Sequence, residues 1–450
     1  MKLVTVTIFL APASLAAADA PVSFSKEIAP LLLERCQPCH GPVRPGGGYQ
    51  VTTYPSVLEA IEPGNPEKSK LFRLIDAESR ARRMPKDKDP LAEAEKALVR
   101  RWIEEGARFD GEDPAAPLLR VVPPRDHPPA PAVYPRAGPV EALAFHPAGA
   151  VLAAGGYREV TLWDPATGKL VARIGGLAER TAGLAFSPDG SLLVAASGNP
   201  GELGEVKLID VAAGRVGARA AVAGDAYLCV AIDPTGARLA AGGADRSIRL
   251  LSLPGGREER TIDQHTDWVV SVAFSPDGKR IVSASRDGTA KIFNAATGEL
   301  ESTYTGHGGP VFAARFSPDG AAVWSAGADR QVHLWTSAPS ISTAMSEKPK
   351  DEKQLVAVDG YGGPVFALVL GSRLAYSAGA DPAVFEHGLA DRKPARVFRG
   401  HAARVLSLAI HEGSGRLASG GQDGEVRIWN LAGGAVVAAS AFPAAPGLER

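Results

Sequence analysis

Two cysteines and a histidine stand within five positions near the start of the chain, in Cys36-Gln37-Pro38-Cys39-His40. The C-x-x-C-H spacing is typical of covalent c-type haem attachment. Two thiols about one turn apart can each form a thioether with one vinyl group of a haem, and the next residue can place its imidazole under the iron. The sequence therefore predicts one covalent haem c on Cys36 and Cys39, with His40 as an axial ligand.

Three other uses of the cysteine pair remain open at this point. An exported protein could join Cys36 and Cys39 in a disulfide. A structural zinc site usually needs four cysteine or histidine ligands, and the next histidine along the chain is His127. A redox-active pair is expected after a βαβ pattern, which is not predicted here. The third cysteine, Cys229, lies in the apolar run "YLCVAIDP" and is predicted to be buried.

Met84 is the candidate for the opposite side of the iron. The chain has three methionines, and the other two are Met1 and Met345. A thioether opposite an imidazole raises the reduction potential and suits electron transfer. The alternative is that Met84 fills space in the core. Basic residues surround it and could balance haem propionates, dock an acidic redox partner or simply lie in solvent; they are Arg80, Arg82, Arg83, Lys86 and Lys88.

Helices are predicted on both sides of these residues. "SFSKEIAPLLLERC" has Ser23 or Ser25 as an N-cap, and Pro30 either kinks this helix or marks its start. "PLAEAEKALVRRWIEEG" has Pro90 in its first turn and Gly106 as its C-cap. We therefore expect a small all-α haem domain over residues 21–113.

These segments, together with "EPGNPEKSKLFRLI" and "RRMPKD", resemble the compact cytochrome c domain of planctomycete-type exported proteins. That family is similar to class I cytochromes c. The resemblance implies that the first and last helices pack across each other over the haem. It also implies thioether bonds at Cys36 and Cys39, His40 as the proximal ligand and Met84 as the distal ligand. The stretch 41–61 departs from the family's glycine-rich, leucine-bearing turn.

The first 20 residues predict an export signal. Lys2 provides a positive end and an apolar stretch follows. Ala16 and Ala18, or Ala18 and Ala20, are the small residues before a cleavage site. The apolar stretch is short for a membrane anchor, which is the alternative. No other segment predicts a membrane span, so we expect an exported protein in the periplasm or cell-envelope space. The net charge of −1 gives no electrostatic reason for binding nucleic acid.

A proline-rich linker is predicted over residues 114–138, and the chain repeats itself over 139–450. Each unit predicts four short strands, and successive units are 40 to 54 residues apart, which is typical of propeller blades. The fold expected is therefore multidomain, with an all-β seven-bladed propeller after the haem domain.

"GGAVVAASAF" or "LLRVV" could supply the strand that closes the ring. The stretch Thr336–Gly360 is expected to be a solvated loop, or a binding loop. The register of the repeat is marked by Phe145, Phe186, Ile232, Phe274, Phe316, Leu370 and Ile410.

The repeats resemble the WD40 family, because three units carry polar residues at one shared spacing. The resemblance implies a buried hydrogen-bonded chain in each, and Phe293 would remove the last link in one of them. The units that begin at Pro139 and Thr181 lack the histidine and the aspartate. A hydrolase triad is not favoured, because the set recurs from blade to blade without a nucleophile elbow. The sets are His265, Ser283 and Asp287; His307, Ser325, Asp329 and Trp335; and His401, Ser419, Asp423 and Trp429.

Together these features predict an exported monohaem cytochrome that transfers single electrons and docks a protein redox partner or complex on its propeller. An electron carrier is expected rather than a catalyst. One alternative is a haem-based sensor or scaffold in which Met84 is displaced. The other is a redox enzyme with a second haem in the propeller, for which the spare histidines are His127, His146, His333, His387 and His411.

Overall fold

The computed structural model describes residues 20–41, 46–124, 126–134, 138–339, 354–390 and 394–441. These residues form two compact units, which divide after Pro124. Residues 1–19 of the predicted export signal lie outside the described residues, as does most of Thr336–Gly360, including Met345. Among the described residues, no helix is long and apolar enough to cross a membrane.

The first unit consists of short helices, and its described residues contain no β-strand beyond a single bridge between Thr53 and Pro117. A π-helical turn over Phe24–Ile28 precedes the first α-helix, and the Ser23 side chain caps it by accepting from the Lys26 amide. The α-helices are α1 (Ala29–Arg35), α2 (Gln37–His40), α3 (Tyr54–Leu58), α4 (Lys70–Ile75), α5 (Glu93–Glu104) and α6 (Leu118–Val121).

Both predicted helices are present. Ser23, one of the two predicted N-caps, caps the first helical segment, while the second helix starts later than predicted. Pro30 is near the start of α1, where its missing N–H costs no helical hydrogen bond. Helix α5 begins at Glu93, after Pro90, and ends where Gly106 adopts a φ of +95°, a conformation that favours glycine.

The core of the first unit joins its N-terminal turn to α5. The rings of Phe24 and Trp102 lie 5.4 Å apart, and Phe24 also packs edge-on against Tyr54 at 5.0 Å. Arg35 at the end of α1 forms an ion pair with Glu95 of α5 at 3.1 Å. Aromatic burial and this pairing hold the first and last long helical segments together, on the two sides of the C-x-x-C-H turn.

The second unit is an all-β propeller of seven antiparallel four-stranded sheets, and each blade uses four consecutive strands. Blade 1 contains β1 (Leu143–Phe145), β2 (Leu152–Gly155), β3 (Glu159–Trp163) and β4 (Leu170–Gly175). Blade 2 contains β5 (Arg180–Phe186), β6 (Leu192–Asn199), β7 (Leu203–Asp210) and β8 (Arg215–Ala223). Blade 3 contains β9 (Tyr227–Ile232), β10 (Arg238–Gly243), β11 (Ile248–Ser252) and β12 (Glu258–Ile262).

The remaining four blades repeat this arrangement. Blade 4 contains β13 (Val269–Phe274), β14 (Arg280–Ser285), β15 (Ala290–Asn294) and β16 (Leu300–Tyr304). Blade 5 contains β17 (Val311–Phe316), β18 (Ala322–Gly327), β19 (Val332–Thr336) and β20 (Gln354–Val358). Blade 6 contains β21 (Val365–Leu370), β22 (Leu374–Gly379), β23 (Ala383–Gly388) and β24 (Pro394–Arg399). Blade 7 contains β25 (Val405–His411), β26 (Arg416–Gly421), β27 (Glu425–Asn430) and β28 (Val436–Ala441).

The ring closes between blades 7 and 1 without exchanging a strand. Strand β28 completes blade 7 from "GGAVVAASAF", as one of the two predictions had it. The other prediction is wrong, because "LLRVV" forms α6, where Leu118 is buried in the core of the first unit. At the seam, the Val140 amide donates to the Gly421 carbonyl at 3.1 Å, and Ser407 Oγ donates to the Val140 carbonyl at 2.8 Å.

The proline-rich stretch is held at both of its ends. The Leu118 amide donates to the Thr52 carbonyl at 2.8 Å within the first unit. Further along, His127 Nε2 lies 2.5 Å from a Glu205 oxygen within the second unit. Tyr134 donates its hydroxyl hydrogen to the carboxylate of Glu159 in β3. Residues of the stretch therefore belong to the packing of each unit.

Candidate functional site

The C-x-x-C-H residues lie on one compact turn at the end of α1. The Cys36 amide closes α1 by donating to the Leu32 carbonyl at 3.0 Å, and the Cys39 and His40 amides both donate to the Cys36 carbonyl, at 3.1 and 3.0 Å. Cys36 is half-buried, Cys39 is exposed, and both thiols are free. Burial raises the pKa of the Cys36 thiol to about 11. The turn thus presents two thiols and an imidazole from five consecutive residues.

His40 is held in one tautomer. Its Nδ1 lies 3.0 Å from the Tyr49 carbonyl oxygen. Because a carbonyl can only accept, Nδ1 carries the proton, and Nε2 of the neutral ring keeps its lone pair. That is the state a metal-binding imidazole needs, with its other nitrogen oriented by a backbone carbonyl.

The Tyr49 segment is itself fixed in place. The Val51 amide donates to the His40 carbonyl at 2.7 Å, and the Tyr49 hydroxyl donates to the Val57 carbonyl at 3.0 Å. Gly46 also packs closely, since a Cβ there would lie 3.2 Å from the Cys39 carbonyl oxygen and 3.5 Å from His40 Cε1. The ring of His40 therefore has little freedom to rotate.

Met84 lies in the segment between α4 and α5. Its amide donates to the Leu74 carbonyl at 2.9 Å, so the backbone at this point is tied to the end of α4. The side chain is half-buried and packs against the core of the first unit. The position is compatible with a thioether ligand and also with a core contact.

A cleft of about 620 Å³ lies between the segment that leads into Cys36 and the residues on both sides of Met84. Two arginines that line it, Arg35 and Arg83, each have a buried Nε atom without a hydrogen-bond partner in the part of the chain that the structure describes. Buried unpaired donors of this kind suit anionic groups such as the propionates of a haem. The cleft is lined by Glu34, Arg35, Arg80, Arg83, Pro85, Asp87, Lys88, Asp89 and Pro90.

The basic residues predicted around Met84 divide into two groups. Arg80, Arg83 and Lys88 line the cleft, where three carboxylates accompany them. Arg82 and Lys86 do not line it and are exposed. The residues present at the turn and the cleft therefore fit a covalent haem in three respects: the paired thiols, the tautomer of His40, and the unpaired arginine donors.

The structure brings together each histidine–serine–aspartate set of the propeller. His307 Nδ1 lies 2.8 Å from Asp329 Oδ2, its Nε2 lies 2.7 Å from Ser325 Oγ, and Trp335 Nε1 donates to the same Oγ at 3.1 Å. The Asp329 carboxylate can only accept, so Nδ1 donates to it and Nε2 accepts from the serine hydroxyl. The result is one continuous chain of hydrogen bonds from the indole to the aspartate.

The other two sets have the same geometry, with one difference. His401 Nε2 lies 2.8 Å from Ser419 Oγ, and Trp429 Nε1 donates to the same Oγ at 2.8 Å. His265 Nε2 lies 2.7 Å from Ser283 Oγ, but in this blade the buried Phe293 replaces the tryptophan and offers no N–H. All three serines are fully buried, so a substrate could not reach them and a structural role is favoured.

The aspartates of the three sets are held in their charged form. Burial by itself would raise the pKa of Asp287, but hydrogen bonds from His265 and Thr289 lower it well below the usual value. The pKa values of Asp329 and Asp423 are lowered in the same way, against burial, by His307 and His401.

A fourth polar chain, in blade 6, was not predicted. The Tyr361 hydroxyl lies 2.6 Å from Ser377 Oγ and 2.7 Å from His387 Nε2. Tyr361 stands nine residues before Leu370, as His265 stands nine before Phe274, so the register contained the signal. His387 takes the place of the tryptophan, ten residues after the serine.

The five spare histidines all make local hydrogen bonds within the second unit. His127 contacts Glu205, His333 contacts Tyr304 and Gln331, and His387 contacts Tyr361. His146 Nδ1 accepts from the Ala148 amide, and His411 Nε2 donates to the Pro147 carbonyl. Each ring is thus engaged in the packing of its own blade or seam, which gives no support to a second haem there.

The comparisons with known families agree with both parts of the chain. A family model described as Planctomycete cytochrome C matches residues 36–88, which include the C-x-x-C-H turn and Met84. The WD domain, G-beta repeat model, WD40, matches residues 223–252, 256–294, 298–336 and 392–430. No curated protein matches the chain. The chain therefore carries a planctomycete cytochrome C domain and WD40 repeats, and the propeller has seven blades, which confirms both resemblances.

Proposed function

We propose that the first unit binds one covalent haem c and transfers single electrons, and that the protein is exported. The observation that carries this is the hydrogen bond from His40 Nδ1 to the Tyr49 carbonyl at 3.0 Å, because it leaves Nε2 as a free ligand directly after two thiols. The match of residues 36–88 to a cytochrome family supports the same function.

Each part of the site has a separate task in this proposal. Cys36 and Cys39 would attach the group through their thiols, and His40 and Met84 would be the protein ligands of its iron. Arg35 and Arg83 offer unpaired donors to its carboxylates. When bound, a haem with two protein ligands supplies a one-electron couple. With His40 and Met84 both bound to the iron, no position would be left there for a substrate, which favours a carrier over a catalyst.

The propeller is proposed to dock a protein redox partner. Two cation–π pairs lie at the same end of the strands: Arg286 over exposed Trp268 at 4.3 Å, and Arg158 over exposed Tyr157 at 4.7 Å. Arginine, tryptophan and tyrosine are the residues that dominate the binding energy of protein interfaces. The positive charge of Arg286 favours an acidic patch on the partner, whereas Arg158 is already paired with Glu179 at 2.9 Å.

The haem proposal is tested on the full chain, made in a host with c-type maturation. Visible spectra of the oxidised, reduced and reduced-plus-CO protein, repeated after denaturation, report attachment and ligation. We expect one haem that stays with the denatured chain and a reduced form that ignores CO. If no haem stays on the chain, the function proposed for the first unit is wrong.

Met84→Ala tests the second ligand. Removing the thioether should leave the haem attached but let the reduced protein bind CO, while the wild type stays unreactive. Met345→Ala is the matched control, because it removes the same side chain from the propeller's part of the sequence, and it should behave as the wild type. CO binding by the wild type would instead indicate a displaceable ligand and favour the sensor.

The docking proposal is tested by the rate at which a cell-envelope extract reduces the protein. Trp268→Ala combined with Arg286→Ala should slow this reduction and weaken its dependence on salt, since one charge and one aromatic anchor are lost. Val436→Ala, at another exposed apolar side chain, is the control. Equal rates for all three proteins would contradict docking on this face.

A further inference from the structure

Arg315 breaks the pattern of the repeat at one position of the propeller. It stands directly before Phe316, which marks the register of blade 5. The corresponding residue in the other six blades is small and apolar: Ala144, Ala185, Ala231, Ala273, Val369 and Ala409. Blade 5 therefore places a guanidinium on an innermost strand, where the other blades place no more than a valine.

Arg315 lines the central channel of the propeller and also the cavity at one mouth of that channel. The mouth cavity has a volume of about 430 Å³. It lies where the first strands of blades 2 to 5 end, at the opposite end of those strands from His265 and Trp268. Most of its lining residues are apolar, among them Phe186, Ile232 and Phe274, while Asp233 and Ser275 add polar groups.

The guanidinium of Arg315 is held by hydrogen bonds at Nη1, while its other edge, formed by Nε and Nη2, makes no hydrogen bond to the described residues. Arg315 Nη1 donates to Ser271 Oγ of the neighbouring blade and to the Ala314 carbonyl, both at 2.7 Å. Among the described residues, Nε and Nη2 have no hydrogen-bond partner and no carboxylate lies within 4 Å of the group. Burial lowers the pKa of Arg315, which reflects the cost of holding this charge without a counter-ion.

The nearby carboxylates are engaged elsewhere. Glu141, which lines the channel, pairs with Arg180 at 2.5 Å. Asp233, which lines the mouth cavity, accepts from the amides of Ala237 and Arg238 at 2.8 and 2.9 Å. Neither charge neutralises Arg315, so the site keeps a positive group among apolar walls.

We propose that the mouth cavity binds a carboxylate carried by an apolar group, with Arg315 holding the carboxylate through Nε and Nη2. A planar guanidinium edge with two free N–H groups matches the two oxygens of a carboxylate. The phenylalanine and isoleucine walls would bury the attached apolar group. A small organic acid and the C-terminal residue of a peptide both present this chemistry. Ser271 is a positioning residue, since it acts by fixing the other edge of the guanidinium.

The proposal is tested by calorimetric titration of the full haem-loaded protein with 4-phenylbutyrate. 4-Phenylbutanol, which keeps the apolar part, and inorganic phosphate, which keeps the charge, are the matched ligands. We expect binding of the carboxylate and little binding of the other two. A short peptide ending in a free phenylalanine carboxylate, compared with its amide, tells whether the source can be a peptide terminus. Failure of all carboxylates to bind, or equal binding of the alcohol, would overturn the proposal.

Arg315→Ala introduces the residue found in five of the other six blades. It should weaken phenylbutyrate binding about 10- to 100-fold, the range for a hydrogen bond to a charged group. Ser271→Ala should weaken it less and leave the preference for carboxylate intact. Arg257→Ala removes an equal charge from an exposed site and should not change phenylbutyrate binding.

Because Arg315 has no counter-ion, Arg315→Ala should also keep or raise the thermal stability. A destabilised Arg315→Ala with unchanged binding would show that the residue is structural.

Discussion

At the scale of single residues, the hydrogen-bond partner of each histidine decides what its ring can do. His40 faces a carbonyl, so its second nitrogen is left as a ligand. His333 has both nitrogens occupied, because Nε2 donates to Gln331 Oε1 at 2.8 Å and Nδ1 accepts from the Tyr304 hydroxyl at 2.8 Å. The same side chain is therefore a candidate ligand in one unit and a neutral core residue in the other.

His333 makes the stability of the propeller depend on pH. Burial lowers its pKa to about 4, helped by His307, whose ring stacks on it at 4.0 Å, while Asp329 and Asp359 oppose the shift. The unfolded chain binds the proton first as the pH falls below about 6.5. The stabilisation is therefore complete above that pH and is lost towards pH 4, with a slope of up to about 1.4 kcal/mol per pH unit.

Urea unfolding followed by far-UV circular dichroism at several pH values between 7 and 4 checks this prediction. His333→Gln keeps an amide for hydrogen bonding but does not titrate, so its stability should fall less over this range. Part of the slope should remain, because burial also lowers the pKa of His387. The aspartates of the polar chains, with lowered pKa values, lose their contribution only below about pH 4. An unchanged slope in His333→Gln would contradict the assignment to His333.

At the scale of elements, the polar chains join the loop before a blade's first strand to its second and third strands. Ser325→Ala leaves both the His307 nitrogen and the Trp335 N–H without a partner in a buried place. Ser283→Ala leaves only the His265 nitrogen, since Phe293 makes no such bond. At about 1–3 kcal/mol for each unpaired buried group, Ser325→Ala should be the more destabilising variant by about that amount.

Chemical denaturation of the two variants beside the wild type measures the difference. Phe293→Trp is the complementary test, because it adds to blade 4 an indole N–H that could donate to Ser283, as Trp335 donates to Ser325 in blade 5. It should stabilise the wild type but not Ser283→Ala, which lacks the acceptor. Equal losses for the two serine variants would show that the indole bond contributes nothing.

The same elements show what sequence spacing can predict. Three polar chains have members at one shared spacing, so they could be placed together before the structure was known. The chain of Tyr361, Ser377 and His387 could not, because it uses different residue types and a blade with a shorter first turn. Helix α5 was placed, but its start was put too early because Pro90 resembles a first-turn proline.

At the scale of the whole molecule, contacts between distant residues escaped prediction. His127 and Glu205 are 78 positions apart, and composition alone predicted an extended, semi-rigid linker around His127. The Tyr49 carbonyl, which orients His40, gives no signal in sequence because it is a backbone atom. The route of ring closure also stayed open, since two segments had the length and apolar content of an outer strand.

Ring closure without strand exchange makes the seam between blades 1 and 7 a point of vulnerability. Val140 is fully buried there, and a Cβ on Gly420 would lie 2.6 Å from its Cγ1, so the valine packs directly on the glycine of β26. Val140→Ala removes two methyl groups from this contact and should cost about 2 kcal/mol. Val437→Ala, at an exposed position on β28, should cost less than about 0.5 kcal/mol.

The shape of the unfolding transition distinguishes two ways in which the seam could fail. If the seven blades unfold as one cooperative unit, Val140→Ala will lower the urea midpoint of the propeller and keep the slope of the transition. Far-UV circular dichroism follows the strands, and the absorbance of the proposed haem would follow the first unit separately. A smaller slope at an unchanged midpoint would mean that blade 1 separates before the rest. That result would contradict the cooperative ring. Blade 1 shares no strand with blade 7, so they are joined by side-chain packing and by hydrogen bonds such as those of Val140, of His411 to the Pro147 carbonyl, and of Ser440 to the Gly168 carbonyl.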